Sequence, residues 1–257
     1  KDLAFYSSMG PTDDGRIKPT LVSHGGDVLT TGGVRSTIPG NSYGNKQGTS
    51  MAAPGVSGAI ILLNEKFKDV YSRDPDPATV KATLIHTAED LGNRGPDYKT
   101  GWGLINTTTA IKHVNKSYGE NLLRTGDVDL GETDSYEIEA SGENDLKFTL
   151  VWMDKSASST ASETLVNDLD LVVKKDGERY YPWSMSWENR TEPALQDRPD
   201  RTNPQEQVVI EDPEPGNYTL EVEGYSVPEG PQSYSLITTD SDNPADITIE
   251  NPENSTY

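Results

Sequence analysis

The chain of 257 residues contains no cysteine. It therefore forms no disulfide bond, and any stabilisation beyond ordinary packing has to come from elsewhere. No apolar run approaches the ~18 residues that a membrane-spanning helix needs, so a membrane is not an expected partner. No signal peptide is visible at the start of the sequence. A length of 257 residues allows one or two domains, each large enough to bury its own core.

Positive charge is also scarce. The 22 lysines and arginines are outnumbered by 42 aspartates and glutamates, which gives a formal net charge of −20. Nucleic acid is not an expected partner, because phosphate binding needs the opposite sign. Two interpretations of the acidity remain open. One is the solubility of a secreted or salt-exposed protein. The other is the binding of a divalent cation by a few clustered carboxylates.

Residues 48–54 read Gly-Thr-Ser-Met-Ala-Ala-Pro and precede an apolar run over residues 56–67. Spacings of three and four predict a helix there, and the further apolar residues predict that it is buried nearly all round. Thr49 is the predicted N-cap, and Pro54 falls in the first turn. Ser50 then lies at the helix N-terminus, where free N–H groups favour a developing negative charge. A hydroxyl there suits attack on a carbonyl, although serines at helix starts are usually caps.

The same seven residues resemble the nucleophile motif Gly-Thr-Ser-Met-Ala-x-Pro of the subtilisin-like serine peptidases, or subtilases. Residues 6–19 resemble that family's Ser-Ser-x-Gly-Pro-Thr-x-Asp-Gly-Arg-Ile-Lys-Pro segment. Residues 80–92 and 101–106 are similar to its last helices and to the Gly-aromatic-Gly turn between them. The resemblance implies a partial α/β catalytic domain over residues 1–123, in which Ser50 is the nucleophile. It also implies a protein or peptide substrate.

One loop departs from the family pattern. Residues 18–25 read Lys-Pro-Thr-Leu-Val-Ser-His-Gly where subtilases usually have Lys-Pro-Asp-x-x-Ala-Pro-Gly. His24 in this loop is a candidate catalytic residue, but the family's histidine belongs to a His-Gly-Thr motif well upstream. We therefore expect His24 to be a surface residue. Apolar spacing predicts a second helix over residues 78–91, with Gly92 as its C-terminal stop. His86 and His113 lie in this helical part of the chain, and ordinary packing or surface positions are the preferred interpretation for both.

From about residue 124 the pattern changes from helical spacing to the alternation of strands. Strands are predicted over residues 135–140, 146–152, 169–173, 207–210, 218–224 and 233–238. They indicate an all-β jelly-roll sandwich over residues 124–240, followed by a polar tail at 241–257. Residues 150–154, 164–171 and 225–232 resemble the C-terminal β-barrel of one subtilase subgroup, the secreted alkaline proteases. That resemblance implies an extracellular protein.

No His-Gly-Thr motif occurs in the chain. In subtilases the order is Asp, His, Asn, Ser, so the resemblance implies that the triad Asp and His and the oxyanion Asn lie upstream. Upstream sequence of its own catalytic domain is then a partner, and the chain alone should be inactive. Three interpretations of the function of this chain remain open. The first is the C-terminal part of a secreted endopeptidase that works through an acyl-enzyme on Ser50. The second is a binding module with a vestigial protease segment, for which Trp183 and Trp187 are candidate contacts. The third is a module that stabilises the catalytic domain.

Two acidic pairs predict a structural calcium ion in the sandwich. Asp168 and Asp170 are two residues apart at a predicted strand start and so share a face. Asp197 and Asp200 flank a proline in a loop. Calcium takes about six to eight oxygen ligands, and in the resembling subgroup the corresponding loops bind it. The alternative is turn chemistry, because aspartate commonly occurs in turns.

Overall fold

The computed structural model describes residues 2–26 and 32–239, so the predicted polar tail at 241–257 lies outside the described residues. Three helices and ten strands follow one another in the order β1 Val34–Ile38, β2 Ser42–Lys46, α1 Thr49–Tyr71, α2 Pro77–His86, α3 Thr107–Glu120, β3 Leu123–Val128, β4 Thr133–Ala140, β5 Leu146–Trp152, β6 Asp168–Lys175, β7 Glu178–Tyr180, β8 Gln205–Ile210, β9 Gly216–Ser226 and β10 Gln232–Thr238.

The first half contains little of a parallel sheet. Within residues 2–26 and 32–122, pairing consists of the antiparallel hairpin β1–β2 and isolated bridges, of which Val22–Leu104 is the parallel one. The turn before Leu104 is built from glycine. Gly101 has a φ of 63°, and a Cβ there would lie 2.0 Å from the carbonyl oxygen of Pro19. The Gly-Trp-Gly turn therefore lets the segment around Pro19 approach closely.

Helix α1 is less buried than its sequence predicts. Leu63 and Phe67 are buried against α3, but Ile61 is 66% exposed and Leu62 is 50% exposed. The prediction of a helix buried nearly all round is therefore wrong for the described chain. The apolar residues beyond the α3 contact have no element of residues 2–26 and 32–239 to pack against.

Helix α2 is shorter than its apolar spacing predicts. The pattern extends to Leu91, but the helix ends at His86. Beyond it, Glu89 exchanges two backbone hydrogen bonds of 2.8 Å with Leu104. Because those bonds use the N–H and C=O groups that a continuing helix would need, pairing with Leu104 overrides the helical pattern.

The second half is a sandwich of two antiparallel four-stranded sheets, with strand orders β3-β10-β5-β8 and β4-β9-β6-β7. The six strands predicted from alternation are confirmed as β4, β5, β6, β8, β9 and β10, and β3 and β7 were not predicted. The core between the sheets is one cluster that includes Phe148, Trp152, Leu171, Leu220 and Leu236.

One sheet is covered on both faces, because α2 packs on the outer face of the sheet that contains β5 and β10. Alternate residues of β5 point to opposite sides. Phe148 belongs to the sandwich core, whereas Val151 joins Ile85 of α2 and Ile237 of β10 in a second cluster. We call this contact between α2 and the sheet the seam. Both halves of the chain therefore contribute side chains to this second hydrophobic cluster.

Candidate active site

The predicted nucleophile lies where the sequence predicts it, in the first turn of α1. The helix has 23 residues and begins at Thr49. Its N-cap is Gly48, with a φ of 142°, and not Thr49 as predicted. Glycine accepts this φ freely, whereas a side chain there would be strained. Ser50 is exposed, and it stands at a helix end whose first N–H groups lack partners within the helix.

A cleft of about 1080 Å³ opens beside this helix end. Its lining on the side of α1 consists of Gly48, Thr49, Ala52, Ala53, Val56 and Ser57. Ser50 is adjacent to Thr49 in the chain but is not itself a lining residue. The remaining lining comes mainly from residues 2–8, 19–26 and 91–104. A cleft of this size is in the range that accommodates a ligand or a peptide side chain.

One wall of the cleft is formed by the segment of residues 19–26, which follows the buried Ile17 in the chain. Trp102 N–H donates to the carbonyl of Thr20 over 3.0 Å, and Val22 N–H donates to Gly103 over 3.0 Å. At the far end, Gly48 N–H donates to the carbonyl of Gly25 over 2.8 Å. The segment therefore connects the Gly-Trp-Gly turn to the backbone directly before Thr49 and Ser50.

Two further residues have the chemistry of triad members. His24 is exposed, as expected, and lines the cleft. Asp14 is an acidic residue of the run Asp13-Asp14-Gly15, in which Asp13 and not Asp14 has the Asp-x-Gly spacing of a triad aspartate. The carboxylate of Asp14 accepts hydrogen bonds from Thr12, Thr164 and Arg16. Burial acts to raise the pKa of Asp14, and these hydrogen bonds outweigh it and lower the pKa. Asp14 thus joins the first half of the chain to the sandwich.

The four predicted metal ligands are not gathered around one point. Asp170 pairs with the guanidinium of Arg201 through two hydrogen bonds, and Asp168 pairs with the same group over 3.2 Å. Asp197 lies on an exposed loop and pairs with Arg198 over 3.3 Å. Within residues 2–26 and 32–239, no three Asp, Glu, His or Cys side chains stand in a geometry that could hold a metal ion.

Asp168 and Asp200 still lie in an unusually acidic, desolvated environment. Burial raises the pKa of Asp168 to about 7, against the opposing charge of Arg201. Burial raises the pKa of Asp200 to about 6. Glu206, which the sequence analysis did not single out, is fully buried and has a strongly raised pKa from the same cause. Asp168 Oδ1 and Glu206 Oε1 are buried without a hydrogen-bond partner, so Arg201 satisfies only part of this cluster.

The two candidate tryptophans have different environments. Trp183 is buried in the seam cluster, where Arg94 lies over its ring. Trp187 is 57% exposed, and its Cβ lies beside Gly15. They do not form an exposed aromatic row, since only Trp187 of the two reaches solvent.

Comparison with known proteins assigns the first part of the chain. The subtilase family matches residues 1–103. The serine protease/ABC transporter B family protein tagA of Dictyostelium discoideum is 28% identical over 267 residues, which cover 91% of this chain and 15% of tagA. The minor extracellular protease Vpr of Bacillus subtilis is 29% identical and covers 55% of this chain and 18% of its own length. An extracellular serine protease of Serratia marcescens is 46% identical over 79 residues, 31% of this chain and 7% of that protein.

Residues 1–103 therefore match the subtilase family, and the relatives tagA and Vpr are named as proteases. The chain spans less than a fifth of the length of tagA or Vpr. Among solved structures, fervidolysin of Fervidobacterium pennivorans, described as a keratinolytic enzyme related to subtilisin, is 21% identical. That match covers 73% of this chain and 20% of fervidolysin at a TM-score of 0.25. Separately, none of the helices within residues 2–26 and 32–239 has the length and apolarity to cross a membrane.

Proposed function

We propose that this chain is the C-terminal portion of a secreted subtilisin-like endopeptidase in which Ser50 forms the acyl-enzyme. The observation that carries the proposal is the placement of the Gly-Thr-Ser-Met-Ala-Ala-Pro motif. It puts an exposed serine at the N-terminus of a 23-residue helix, beside a cleft. There the N–H groups and helix dipole favour the oxyanion that forms when the hydroxyl attacks a peptide carbonyl. Protein or peptide is the substrate class of the protease relatives.

The triad Asp and His and the oxyanion Asn belong, in this proposal, to upstream sequence of the same catalytic domain. Support comes from large apolar side chains that are exposed to solvent in the described chain. Ile61 and Leu62 are exposed on α1, and Phe5 and Met9 are 87% and 61% exposed. Ile61 and Leu62 are neighbours, and adjoining exposed apolar side chains are typical of a surface that packs against another element. The upstream part of the domain is the occupant we propose for it.

The 257-residue chain alone is expected to hydrolyse no peptide anilide, whereas the full-length gene product hydrolyses it. Loss of a subtilisin histidine costs roughly 10⁶-fold in kcat, so a chain without the triad base falls below ordinary detection. The measurement is steady-state hydrolysis by both proteins at equal concentration. Activity of the short chain that disappears in Ser50→Ala would contradict the proposal that the base lies upstream. His24→Gln would then show whether His24 supplies it.

Secretion is proposed from the relatives, since Vpr and the Serratia protease are both named as extracellular. We also infer that the sandwich is a jelly roll, because eight strands in two antiparallel sheets is the architecture of that class. The seam favours a stabilising role for this domain. The alternative, a binding module with a vestigial protease segment, retains only Trp187 as an exposed aromatic contact.

A calcium ion at Asp168 and Asp170 stays a proposal, as does the participation of Asp197 and Asp200. The buried oxygens of Asp168 and Glu206 that lack partners fit a cation. Arg201 now supplies positive charge to the same carboxylates. Calcium would therefore bind only when the guanidinium withdraws. Its contribution would be structural, since it would neutralise the acidic cluster.

Millimolar calcium is expected to raise the melting temperature of the chain. Binding to the folded state alone adds about 2.7 kcal/mol at a hundredfold excess over Kd, which corresponds to about 5–10 °C at this size. The effect should shrink at pH 5.5, because protons compete for Asp168, whose pKa is about 7. The measurement is thermal unfolding with calcium or with EDTA at constant ionic strength.

Two controls interpret that measurement. Magnesium at the same ionic strength reports general screening of the −20 charge. Asp168→Asn/Asp170→Asn should lose the increase in melting temperature that calcium produces. Asp74→Asn should keep it, because Asp74 is an exposed carboxylate in the loop after α1. No shift in the wild type would mean that no calcium site exists. Equal shifts in the wild type and the double variant would place the site elsewhere.

A further inference from the structure

One hydrogen bond joins the sandwich to the cleft wall. Ile17 N–H donates to Asn203 Oδ1 over 2.8 Å, across 186 residues of sequence. Both residues are buried, at 1% and 2% exposure. Ile17 lies two residues before Pro19, at which the cleft wall begins. The contact therefore lies at the end of the wall opposite to Ser50.

Asn203 is itself held in place. Its Nδ2 donates to Asp200 Oδ2 over 2.7 Å, and Asp200 Oδ1 accepts from the backbone N–H of Thr202 over 2.8 Å. Because Nδ2 is used by Asp200, the carboxamide oxygen is the atom left to face Ile17. The orientation of Asn203 is thus fixed by the sandwich loop and not by the segment that it binds.

After Ile17, the backbone of the segment is hydrogen-bonded to other parts of the chain at Thr20, Val22 and Gly25. Thr20 and Val22 bond to the Gly-Trp-Gly turn, and the carbonyl of Gly25 accepts from Gly48 N–H. Gly48 is the N-cap of the helix that carries Ser50. A displacement of Ile17 would therefore be transmitted through these hydrogen bonds to the Gly-Trp-Gly turn and to Gly48.

We propose that Asn203 is a positioning residue for the peptidase site, through which the sandwich fixes the cleft wall relative to Ser50. This rests on the proposed function, and it assigns the second domain a role in rate as well as in stability. Asn203 does not touch the substrate. Its effect arises because small displacements of substrate-binding groups reduce reaction rates strongly, by up to about 10²-fold for 1 Å.

The chain offers a matched control in Thr79. Its hydroxyl forms a 2.8 Å hydrogen bond with the Ser235 hydroxyl, which is also buried and also joins the two halves of the chain. Thr79 lies in α2 and does not line the cleft. Asn203→Ala and Thr79→Ala each remove one buried hydrogen bond between the two halves, but only that of Asn203 leads to the cleft wall. Asn203→Ala also removes the hydrogen bonds with Asp200 and Gln205 within the sandwich.

The first test is hydrogen exchange on the 257-residue chain. Asn203→Ala should increase exchange of amides in residues 17–25 at least tenfold, and Thr79→Ala should leave them within twofold of the wild type. Unchanged exchange over residues 17–25 in Asn203→Ala would overturn the proposal. An equal increase in Thr79→Ala would also overturn it, since the effect would then be general loosening.

The second test is kinetic and uses the full-length gene product well below the melting temperature of each variant. Asn203→Ala should lower kcat/KM for a peptide substrate at least tenfold, mainly through kcat, while Thr79→Ala stays within twofold. Asn203→Asp keeps an acceptor for Ile17 but loses the donor to Asp200. It should therefore retain part of the kcat/KM that Asn203→Ala loses.

The outcomes separate the two proposals. Wild-type hydrolysis that Asn203→Ala leaves unchanged would overturn the positioning role and leave the peptidase assignment intact. A full-length gene product without Ser50-dependent hydrolysis would overturn the peptidase assignment, and the positioning role with it.

Discussion

Ser50→Ala is expected to abolish both fluorophosphonate labelling and peptide hydrolysis by the full-length gene product. Removal of the serine from subtilisin, the enzyme that gives the family its name, costs roughly 10⁶-fold in kcat. An effect of that order is expected here because no other group can form the acyl-enzyme bond at the same point. Labelling of the intact protein, followed by mass spectrometry of the modified peptide, measures the loss directly.

Ser57→Ala is the matched control for this prediction. Ser57 is on the same helix and is exposed like Ser50, and its hydroxyl donates to the carbonyl of Ala53. It is two turns away from the helix end, where the free N–H groups are located. Labelling should be unchanged in Ser57→Ala, because Ser57 lines the cleft but its hydroxyl is away from the helix end. A Ser50→Ala protein that is still labelled and still cleaves casein would contradict the assignment of the nucleophile.

The sandwich was predictable from sequence where one face of a strand is buried and the other is not. Strand β9, Gly216–Ser226, alternates buried and partly exposed positions along most of its length. That alternation is the signal from which strands are read. Strand β3, Leu123–Val128, was not predicted, because Arg124, Thr125, Gly126 and Asp127 separate its apolar ends. It forms nonetheless because β10 pairs with it over six residues.

The candidate site was predictable only where a local motif carries it. Ser50 is found from seven consecutive residues. Asn203, Arg201 and Glu206 are ordinary polar residues in sequence, and their roles come from partners far along the chain. Ile17 and Asn203 are 186 residues apart, and Arg201 and Asp170 are 31 apart. The exposure of Ile61 was not predictable either, because an apolar helix face does not reveal which segment covers it.

The seam and the adjoining helix α3 contain a second set of residues whose protonation depends on partners distant in sequence. His86 of α2 is buried, and its two ring nitrogens bond to Thr149 over 2.9 Å and to Thr239 over 3.2 Å. The ring of His113 from α3 lies 5.1 Å away, and its Nε2 is buried without a partner. Lys147 of β5 and Lys116 of α3 are the charged groups that face this pair. Two imidazoles beside two cations are expected to stay neutral.

These histidines should make the folded chain sensitive to acid. Burial, with smaller contributions from His113 and Lys147, lowers the pKa of His86 well below its usual value. Burial, with the charge of Lys116, lowers the pKa of His113 to about 4. In the unfolded chain both titrate near 6.5. The unfolded state therefore binds more protons below pH 6.5, so stability is full above that pH and falls as the pH decreases toward the folded pKa.

Between pH 7.5 and 5 the expected loss is about 2 kcal/mol of unfolding free energy for His113, and His86 acts in the same direction. The acidic cluster acts in the opposite direction. Burial raises the pKa of Asp168 to about 7 and that of Asp200 to about 6, so protonation of these carboxyls favours the folded state as the pH falls. The wild-type pH profile alone therefore mixes two effects of opposite sign, and a comparison between variants is needed.

His113→Gln provides that comparison, because glutamine is polar and does not titrate. Urea unfolding at pH 7.5 and pH 5 should show a pH-dependent loss that is about 2 kcal/mol smaller in His113→Gln than in the wild type. The acidic cluster is the same in both proteins, and its contribution cancels in the difference. His24→Gln removes an exposed histidine and should reproduce the wild-type profile. If His113→Gln and His24→Gln both follow the wild type, the seam histidines are not the source of the acid sensitivity, and burial at the seam does not hold them neutral.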